Sequence, residues 1–345
     1  VVLFNNGKRL ETKHINFYRN NIKYLMDDDE SYAQFFSPIE ASIPPEAKII
    51  FAPEGVFNQI NLETLKRPGG RFLLEEKEIV LVTNPKDLLR PKIKSTATLE
   101  KRNSAILLGD PEFFKPGKIS NEDRKLVAQL PGTRKEIAEV NTILNNNRWD
   151  TETLVGKDAR EEAVKIMKNP RILHVATHGF FNEDVDYDAQ GENSIIDRNK
   201  AMDNPLLKSG LLLYNAGEII KTNPLDYNPN QGEGILTAYE AMNLSLDATD
   251  LVVLSACETG LGEMQVGEGV YGLQRAFQIA GAKSVIMSLF KVADDATQEL
   301  MVNFYHNWLN KAMDKRTSFI EAKKAMLNKR PQPLYWGSFV MIGAQ

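Results

Sequence analysis

A single cysteine, Cys257, stands in the 345-residue chain where a nucleophile would be expected. It follows the apolar run 251–254 and precedes the glycine-rich stretch 258–262, a pattern that predicts a buried strand ending in a turn. A second apolar run, 172–177, ends in the same way at His178. Because ligands of open α/β sheets bind beyond the carboxyl ends of the strands, these two side chains suggest a Cys/His active site.

The chemistry of such a pair depends on the fraction of thiolate. A free cysteine with its usual pKa of about 8.5 is only a few per cent ionised at neutral pH. A neighbouring imidazolium that lowers this pKa to about 6 would raise the ionised fraction to roughly 90%. The two residues are 79 positions apart (257 − 178), so their proximity must come from adjacent strands of one sheet.

The backbone at the same two strand ends offers donors for a developing negative charge. Gly179 has no side chain to block an approaching carbonyl, so we expect its N–H and that of Cys257 to form an oxyanion hole. Each such donor contributes on the order of 3 kcal/mol to transition-state stabilisation. The sequence identifies no third catalytic group.

Less specific interpretations of these residues stay open. A lone cysteine is often a buried core residue. His174 lies inside the predicted strand and is interpreted as a satisfied core histidine, whereas His14 and His306 fall in helical patterns and are interpreted as surface or packing residues. One thiol with this histidine spacing completes no common zinc set, so no metal site is predicted.

The stretch 267–272 matches the Gly-x-Gly-x-x-Gly pattern of dinucleotide-binding loops. That fingerprint must follow a strand directly, whereas about a dozen residues separate this stretch from Leu254. We therefore interpret the glycines as a loop that leads into a helix beginning at Val270, and no cofactor is predicted.

Composition is that of an ordinary globular protein. Hydrophobic residues make up 42% and charged residues 26% of the chain, and 42 Lys and Arg against 46 Asp and Glu give a net charge of −4. This balance does not favour nucleic acid or an anionic membrane, and no apolar stretch approaches the roughly 18 residues of a membrane span. The lone cysteine and the lack of a recognisable signal peptide predict a cytoplasmic setting.

Alternating elements predict the sheet that would carry the Cys/His pair. Strands are predicted over 105–109, 151–155, 172–177, 211–214, 251–256, 284–289 and 339–342. Helices are predicted over 133–144, 237–242, 270–280, 296–310 and 317–328. A further helix is predicted to run from a cap at Asp158 to Met167. This alternation predicts an α/β fold, a mostly parallel sheet with helices on both faces.

The chain is predicted to have two regions, because its length exceeds the usual limit for one core. The sheet described above lies in the second region, residues 96–345, and a first region, residues 1–95, precedes it. Its predicted elements are a strand over 1–5, a helix over 13–26, a strand and turn over 47–55, and a strand over 78–83. The polar stretch 91–101 is the predicted linker.

Several motifs, in order along the chain, resemble those of one family. Segment 174–181 is similar to its histidine motif and segment 254–263 to its cysteine motif. Further matches follow the family's usual order over 130–136, 267–281, 284–297 and 335–340. On these residues the chain resembles the CHAT domain, a caspase-like protease domain that is related to separase and is often found behind tetratricopeptide repeats. The resemblance covers nearly the whole chain, with 49–65 similar to its smaller non-catalytic subdomain.

The resemblance implies a caspase-like α/β fold and hydrolysis of peptide bonds by Cys257 and His178, without a cofactor. Cys257 would attack the scissile carbonyl, and His178 would protonate the leaving amine. By the same analogy, Ser255 would line the pocket for the residue that precedes the cut.

The selectivity of that pocket is open between two charge types. Asp294 and Asp295 follow a strand on a loop that borders the pocket in this class, where carboxylates would favour Arg or Lys. Arg134 lies where an arginine would instead select acidic residues. Structural roles are possible for both, since Arg134 could pair with Glu136 and Asp295 could cap helix 296–310. We expect a basic preference.

The resemblance also implies a protein substrate and control by a partner or by an upstream region of the tetratricopeptide-repeat type. The chain opens with Val1 rather than Met, so we expect it to be the later part of a longer protein. The polar stretch 183–205 is interpreted as a surface loop, either one that is cut during activation or an ordinary insertion. A caspase-like scaffold without catalytic activity is the alternative function.

Overall fold

The computed structural model describes residues 12–24, 28–89, 103–115, 119–181, 205–207, 209–221, 234–258, 268–290 and 294–343. The predicted strand over 1–5, the predicted linker over 91–101 and, apart from Pro205, the predicted loop over 183–205 lie outside these residues.

The described strands form one ten-stranded sheet in which spatial order differs from chain order. The strands are β1 Ile49–Phe51, β2 Ile79–Leu81, β3 Ser104–Pro111, β4 Asp150–Gly156, β5 Ile172–Phe181, β6 Ser209–Leu212, β7 Ile235–Thr237, β8 Leu251–Glu258, β9 Val285–Ser288 and β10 Phe339–Ile342. Their order is β1-β2-β10-β9-β8-β5-β3-β4, and β6 joins β5 to β7. Along this path only β10 runs antiparallel to a described neighbour, β9, so the predicted α/β class with a mostly parallel sheet is confirmed.

Helices cover both faces of this sheet. They are α1 Thr12–Tyr24, α2 Glu30–Phe35, α3 Ser37–Glu40, α4 Leu73–Glu76, α5 Asn121–Leu126, α6 Pro131–Asn146, α7 Glu161–Ile166, α8 Ala216–Lys221, α9 Ala238–Ala241, α10 Glu268–Ile279, α11 Asp294–Tyr305 and α12 Lys315–Lys329. A π-helical turn, His306–Asn310, follows α11. Helices α6, α11 and α12 pack on one face, and α7, α9 and α10 pack on the other.

The central strands are apolar on both sides because both faces are covered. Val253 of β8 packs toward Val140 of α6 and Leu300 of α11, within one buried cluster. The next residue of β8, Leu254, belongs to the opposite cluster with Phe277 of α10. Burying one such side chain contributes about 1.5–3 kcal/mol, so this double-sided core holds the middle of the sheet in place.

Strand β5 changes partners along its length. Its first half pairs with β3 as far as Ala176, and from His178 onward β6 takes the place of β3, running antiparallel with His178 opposite Leu212. The strand therefore extends to Phe181, and His178 lies inside a ladder rather than just beyond a strand as predicted. The exchange is a tertiary effect, which local sequence pattern does not encode.

Two local predictions differ from the structure at helix starts. The residue that caps α7 is Arg160, without a side-chain cap bond, so the predicted cap by Asp158 is wrong. Asp158 instead lies in the preceding turn, where its N–H donates to the carbonyl of Val155. Helix α10 begins at Glu268 rather than at the predicted Val270. It contains Gly272, where an added Cβ would lie 2.8 Å from Ser209 Oγ. Glycine at this position therefore allows the close approach of α10 to β6.

The N-terminal strands β1 and β2 extend the same sheet beyond β10. Around them, Tyr18, Phe35 and Leu65 belong to a separate buried cluster. This region is tied to the rest of the fold by a hydrogen bond of 2.7 Å from Asn61 Nδ2 to the Gly337 carbonyl. A boundary between residues 1–95 and 96–345 stays a prediction.

A buried ion pair crosses the same junction. Lys323 of α12 has a fully buried side chain, and its Nζ lies 2.6 Å from Glu63 Oε2. Burial lowers the pKa of Lys323, and the carboxylate of Glu63 opposes that shift. The ammonium is therefore maintained by a single acidic partner among the ion pairs that the structure describes for it.

Replacing Glu63 by Gln should lower the free energy of unfolding by about 3–5 kcal/mol, because it leaves a buried ammonium without its counter-charge. Adding Lys323→Met to Glu63→Gln should recover most of this loss. Glu321→Gln is the control, since its carboxylate pairs with Lys324 at the surface and its loss should cost less than about 1 kcal/mol. Urea unfolding measures all three; a double variant as unstable as Glu63→Gln would contradict the account.

Candidate active site

The two predicted catalytic residues lie side by side in neighbouring strands. Strands β5 and β8 are parallel, and their register pairs His178 directly with Cys257. Register partners in parallel strands belong to the same face of a sheet, because side chains alternate with a period of two. The fold thus brings together residues that are 79 positions apart in the sequence (257 − 178).

The imidazole of His178 is held in place by a backbone hydrogen bond and by an aromatic neighbour. The side chain is 5% exposed, and its Nε2 lies 2.7 Å from the backbone carbonyl oxygen of Ala128. A carbonyl only accepts, so Nε2 carries a proton and donates it. Phe113 packs against the ring, with centroids 5.3 Å apart. In the neutral form Nδ1 is consequently the unprotonated nitrogen of the ring.

The segment that supplies the Ala128 carbonyl is anchored to the end of β3. Asp110 departs from the sheet there with a φ of 46°. Its carboxylate accepts hydrogen bonds of 2.5 Å from Gln129 Nε2 and from Arg134 Nε, and its N–H donates to Thr133 Oγ1 at 2.9 Å. Asp110 therefore positions the chain on both sides of the α6 start. The proposed pairing of Arg134 with Glu136 is wrong, because the guanidinium turns outward to Asp110.

Glu136 instead points into the protein, where it joins the two strands that carry His178 and Cys257. Its Oε1 lies 2.8 Å from Nε2 of His174 on β5, and its Oε2 accepts a 3.0 Å hydrogen bond from Ser255 on β8. All three side chains are at most 2% exposed. A one-residue slip between the strands would break one of these bonds, so Glu136 stabilises the observed register.

The opposite ends of the same strands are joined by an ion pair. Arg171, which precedes β5, places Nη2 2.6 Å from Oδ2 of Asp250, which precedes β8. Lys283 contributes a second cation 2.7 Å from Oδ1 of that carboxylate. The strand pair is thus held by polar contacts at both ends and by apolar packing between them.

Tyr305 completes the buried network. Its hydroxyl lies 3.2 Å from Nδ1 of His174. Burial, and to a lesser extent the charge of Glu136, raises the pKa of Tyr305 well above its ordinary value, so the hydroxyl keeps its proton. Nε2 of His174 lies 2.8 Å from Oε1 of Glu136, so each ring nitrogen has a polar partner. His174 is a buried histidine with both nitrogens bonded, which confirms its interpretation as a core residue.

Asp294 and Asp295 lie at the start of α11, and the helix begins two residues earlier than predicted. Asp295 therefore lies in the first turn, not before it. Its side chain is 66% exposed, and Oδ2 lies 2.8 Å from Nη1 of Arg330. This hydrogen bond lowers the pKa of Asp295. A role for either residue in substrate binding stays a prediction.

Gly179 pairs with Glu258 on one side and with Leu211 on the other. An added Cβ would lie 3.5 Å from Cβ of Ala256, an ordinary contact, so packing does not by itself require glycine here. The predicted oxyanion hole, formed by the N–H groups of Gly179 and Cys257, stays a prediction.

Two features of the site escaped sequence reasoning. Any residue type supplies a backbone carbonyl, so nothing in the sequence marks Ala128. Glu136 did leave a signal, because it lies on the buried face of α6 with Ile137 and Val140. A charged residue in an apolar stripe predicts a buried polar partner, although the pattern does not say which one.

Comparison with known proteins identifies a family and two similar tetratricopeptide repeat proteins. Residues 31–344 match the CHAT domain family. Tetratricopeptide repeat protein 28 of Mus musculus is 25% identical over 74% of this chain, and that of Homo sapiens is 24% identical over 86%. The chain spans only 10% and 12% of these relatives.

One solved structure that is similar to part of this chain is that of the Arg-specific cysteine proteinase gingipain R. It matches 77% of this chain and 54% of its own, with 9% identity and a TM-score of 0.43. As to membranes, none of the described helices combines the length and apolar character needed to cross one.

Tyr305→Phe should lower the free energy of unfolding by about 1–3 kcal/mol, because Nδ1 of the fully buried His174 loses its hydrogen-bond partner. Tyr239→Phe removes the same hydroxyl from a residue that is 45% exposed and should change stability by less than about 0.5 kcal/mol. Urea unfolding of both variants makes the comparison. Equal stabilities would mean that the network does not hold the strand pair.

Proposed function

The chain belongs to the CHAT domain family, and we propose that it is a cysteine endopeptidase with Cys257 as nucleophile and His178 as the proton-transfer residue. The observation that carries the proposal is the register of β5 on β8, which pairs these two residues. Support also comes from the hydrogen bond that orients the imidazole, since catalysis by a histidine requires one defined tautomer.

The reaction would proceed in two steps. The Cys257 thiolate attacks the scissile carbonyl, the carbon–nitrogen bond breaks, and the departing amine takes a proton from protonated His178. A thioester and a neutral imidazole remain. Water then attacks the thioester and gives a proton to His178, the carbon–sulfur bond breaks, and the carboxylic acid product leaves with the thiolate restored.

In this scheme the Ala128 carbonyl orients the imidazole of His178. Its oxygen accepts a hydrogen bond from Nε2–H throughout the cycle, while Nδ1 gains and loses the proton that is transferred. A hydrogen bond to a charged group is worth about 1.5–3 kcal/mol, so this contact favours the imidazolium and hence the thiolate beside it. The N–H groups of Gly179 and Cys257 would stabilise the oxyanion.

The substrate would be a protein, and we propose that its cleavage is controlled by a region outside this chain. The curated relatives are tetratricopeptide repeat proteins of which the chain covers about a tenth, which supports an upstream repeat array as the controlling part. A thiolate nucleophile works in a reducing compartment, which supports the cytoplasm as the site of action.

Alkylation of Cys257 tests the proposal without a substrate, since the chain has only one cysteine. The rate of reaction with iodoacetamide, followed by mass spectrometry across pH, should have a midpoint below the usual thiol pKa of about 8.5. His178→Gln should move the midpoint toward about 8.5 and slow labelling at neutral pH by about tenfold, because the neighbouring cation is lost.

The matched control is His306→Gln, which changes an exposed histidine in the turn after α11 and should leave the midpoint unchanged. A midpoint that is the same in the wild type and His178→Gln would remove the basis of the proposed pair.

Cleavage itself is tested with a peptide library made by digesting a cell lysate and analysed by mass spectrometry. The wild type should generate new peptide ends, and Cys257→Ala should reduce their formation by at least about 1,000-fold, as removal of a nucleophile does in other peptidases. Cleavage that persists in Cys257→Ala contradicts the assignment. A wild type that cuts nothing, although its thiol titrates as described, would favour the non-catalytic scaffold.

A further inference from the structure

A groove runs along helix α12, on the side where the N-terminal strands extend the sheet. Its volume is about 460 Å³, and on the helix it reaches from Asp314 to Lys324, about 15 Å at 1.5 Å per residue. Its other wall is formed by α4 and by the start of β2. No described residue of β5 or β8 lines it, so this groove is separate from the Cys/His pair.

The base of the groove is apolar, whereas most of its other lining residues are charged. Leu74 of α4 and Ile79 of β2 are at most 3% exposed, and Ile320 of α12 is partly buried. An apolar base with a few polar groups, in a volume of about 300–1,000 Å³, is typical of pockets that bind small organic ligands. The groove thus has the size and the lining of a ligand site.

The acidic residues of the groove already have partners within the fold. Each of the five carboxylates among the described lining residues accepts from a cation or from a backbone N–H. Glu76 lies 2.7 Å from Arg67, Glu78 2.5 Å from Lys48, Glu321 3.1 Å from Lys324, Glu75 2.9 Å from the N–H of Phe72, and Asp314 3.0 Å from the N–H of Thr317. None of these acids lies at ion-pair distance from Arg316, which also lines the groove.

Arg316, in the first turn of α12, is a buried cation without a counter-charge. It is 7% exposed, and its Nη2 donates to the Gly343 carbonyl at 2.9 Å. Its Nε is buried without a hydrogen-bond partner among the described residues. Burial lowers the pKa of Arg316, and the charges of Glu63 and of two other carboxylates offset only part of that shift. The guanidinium therefore keeps donors and a positive charge that the fold does not satisfy.

A single water is the simplest alternative partner for Nε. Arg316 also lines a second cavity, with Asn61 and Glu63, whose volume of about 10 Å³ has room for one water. A water there would supply an acceptor but no negative charge, so the positive charge of Arg316 would stay uncompensated. An anion would satisfy both requirements.

The charges around Arg316 favour one kind of anion. One uncompensated positive charge matches the single negative charge of a carboxylate, which a guanidinium binds through two parallel hydrogen bonds. A phosphate monoester carries about two negative charges at neutral pH, and the second would be repelled by Glu78 and Asp314, which line the same groove. The apolar base suits a hydrocarbon group attached to the carboxylate.

We propose that this groove binds a small carboxylic acid with an apolar body, whose carboxylate pairs with Arg316 and whose hydrocarbon part packs on Leu74, Ile79 and Ile320. A small molecule is favoured over a protein surface because the volume is that of a single ligand pocket. The bound acid would contact both α12 and β2, and so would join the N-terminal strands to the rest of the fold. This site does not depend on the proposed peptidase function.

The test compares 3-phenylpropanoate with 3-phenylpropanamide, which has the same shape but no charge. Spectra of ¹⁵N-labelled arginine side chains identify the Nε–H of Arg316 as the signal that is missing in Arg316→Lys. In the wild type the acid should bind about 10- to 100-fold more tightly than the amide, as expected for a hydrogen bond between charged groups, and should move this signal. Equal binding of acid and amide, or binding of neither, would overturn the inference and leave water as the partner.

Arg316→Lys identifies the residue that binds the acid. Lysine keeps the charge but lacks the paired N–H groups, so the affinity for 3-phenylpropanoate, measured by calorimetry, should fall by about tenfold. Lys329→Gln is the control, since it removes a cation that pairs with Glu299 at the far end of the same helix, and should leave the affinity within about twofold. A folded Arg316→Lys protein that binds as tightly as the wild type would contradict the inference. If this variant does not fold, the comparison of acid and amide still decides.

Two further probes test the class of ligand. Inorganic phosphate should bind more weakly than 3-phenylpropanoate, and tighter binding of phosphate would contradict the assignment to a carboxylate. The acetylated tripeptide Ala-Leu-Leu, with a free terminal carboxylate, should bind no more tightly than the small acid. Binding of this peptide that is at least about tenfold tighter would assign the groove to a polypeptide terminus and overturn the small-acid assignment.

Discussion

The bridge from Glu136 to His174 and Ser255 is the contact on which the site depends. Strands β5 and β8 are apolar on both faces, so apolar packing alone distinguishes poorly between one register and a neighbouring one. The bridge supplies that distinction, because a slip of one residue moves a whole strand to the other face. The bridge contacts β5 four residues before His178 and β8 two residues before Cys257. It therefore stabilises the register in which these two residues are paired.

One short segment both orients His178 and joins the two strands of the site. Residues 128–136 carry the carbonyl that binds His178, the side chains that bind Asp110 and the carboxylate that joins the two strands. Asp110 anchors this segment where β3 leaves the sheet and β6 replaces it beside β5. The carboxyl end of β5 is thus paired with β6 on one side and with β8 on the other.

Much of this arrangement could be predicted from sequence because it depends on local pattern. The apolar runs ending at His178 and Cys257 predict parallel strands, and the carboxyl ends of parallel strands meet at one edge. The helices α6, α10, α11 and α12 follow their apolar spacing, with bounds displaced by a few residues. The rest could not be predicted, because the Ala128 carbonyl has no sequence signal and Glu136 lies 119 positions from Ser255 (255 − 136). Asp158 shows the converse error, since a capping pattern was present but the helix began later.

The central proposal, that the thiol and the imidazole titrate as one pair, is tested most directly by NMR. With ¹⁵N-labelled histidine, His178 is recognised among the four histidines as the signal that is missing in His178→Gln. A thiolate beside an imidazole raises the imidazole pKa, so on our proposal Cys257→Ser, which has no anion at that position, should lower the pKa of His178. The coupling is reciprocal, so the change should match the shift of the thiol midpoint in His178→Gln. An identical His178 pKa in the wild type and in Cys257→Ser would contradict the account.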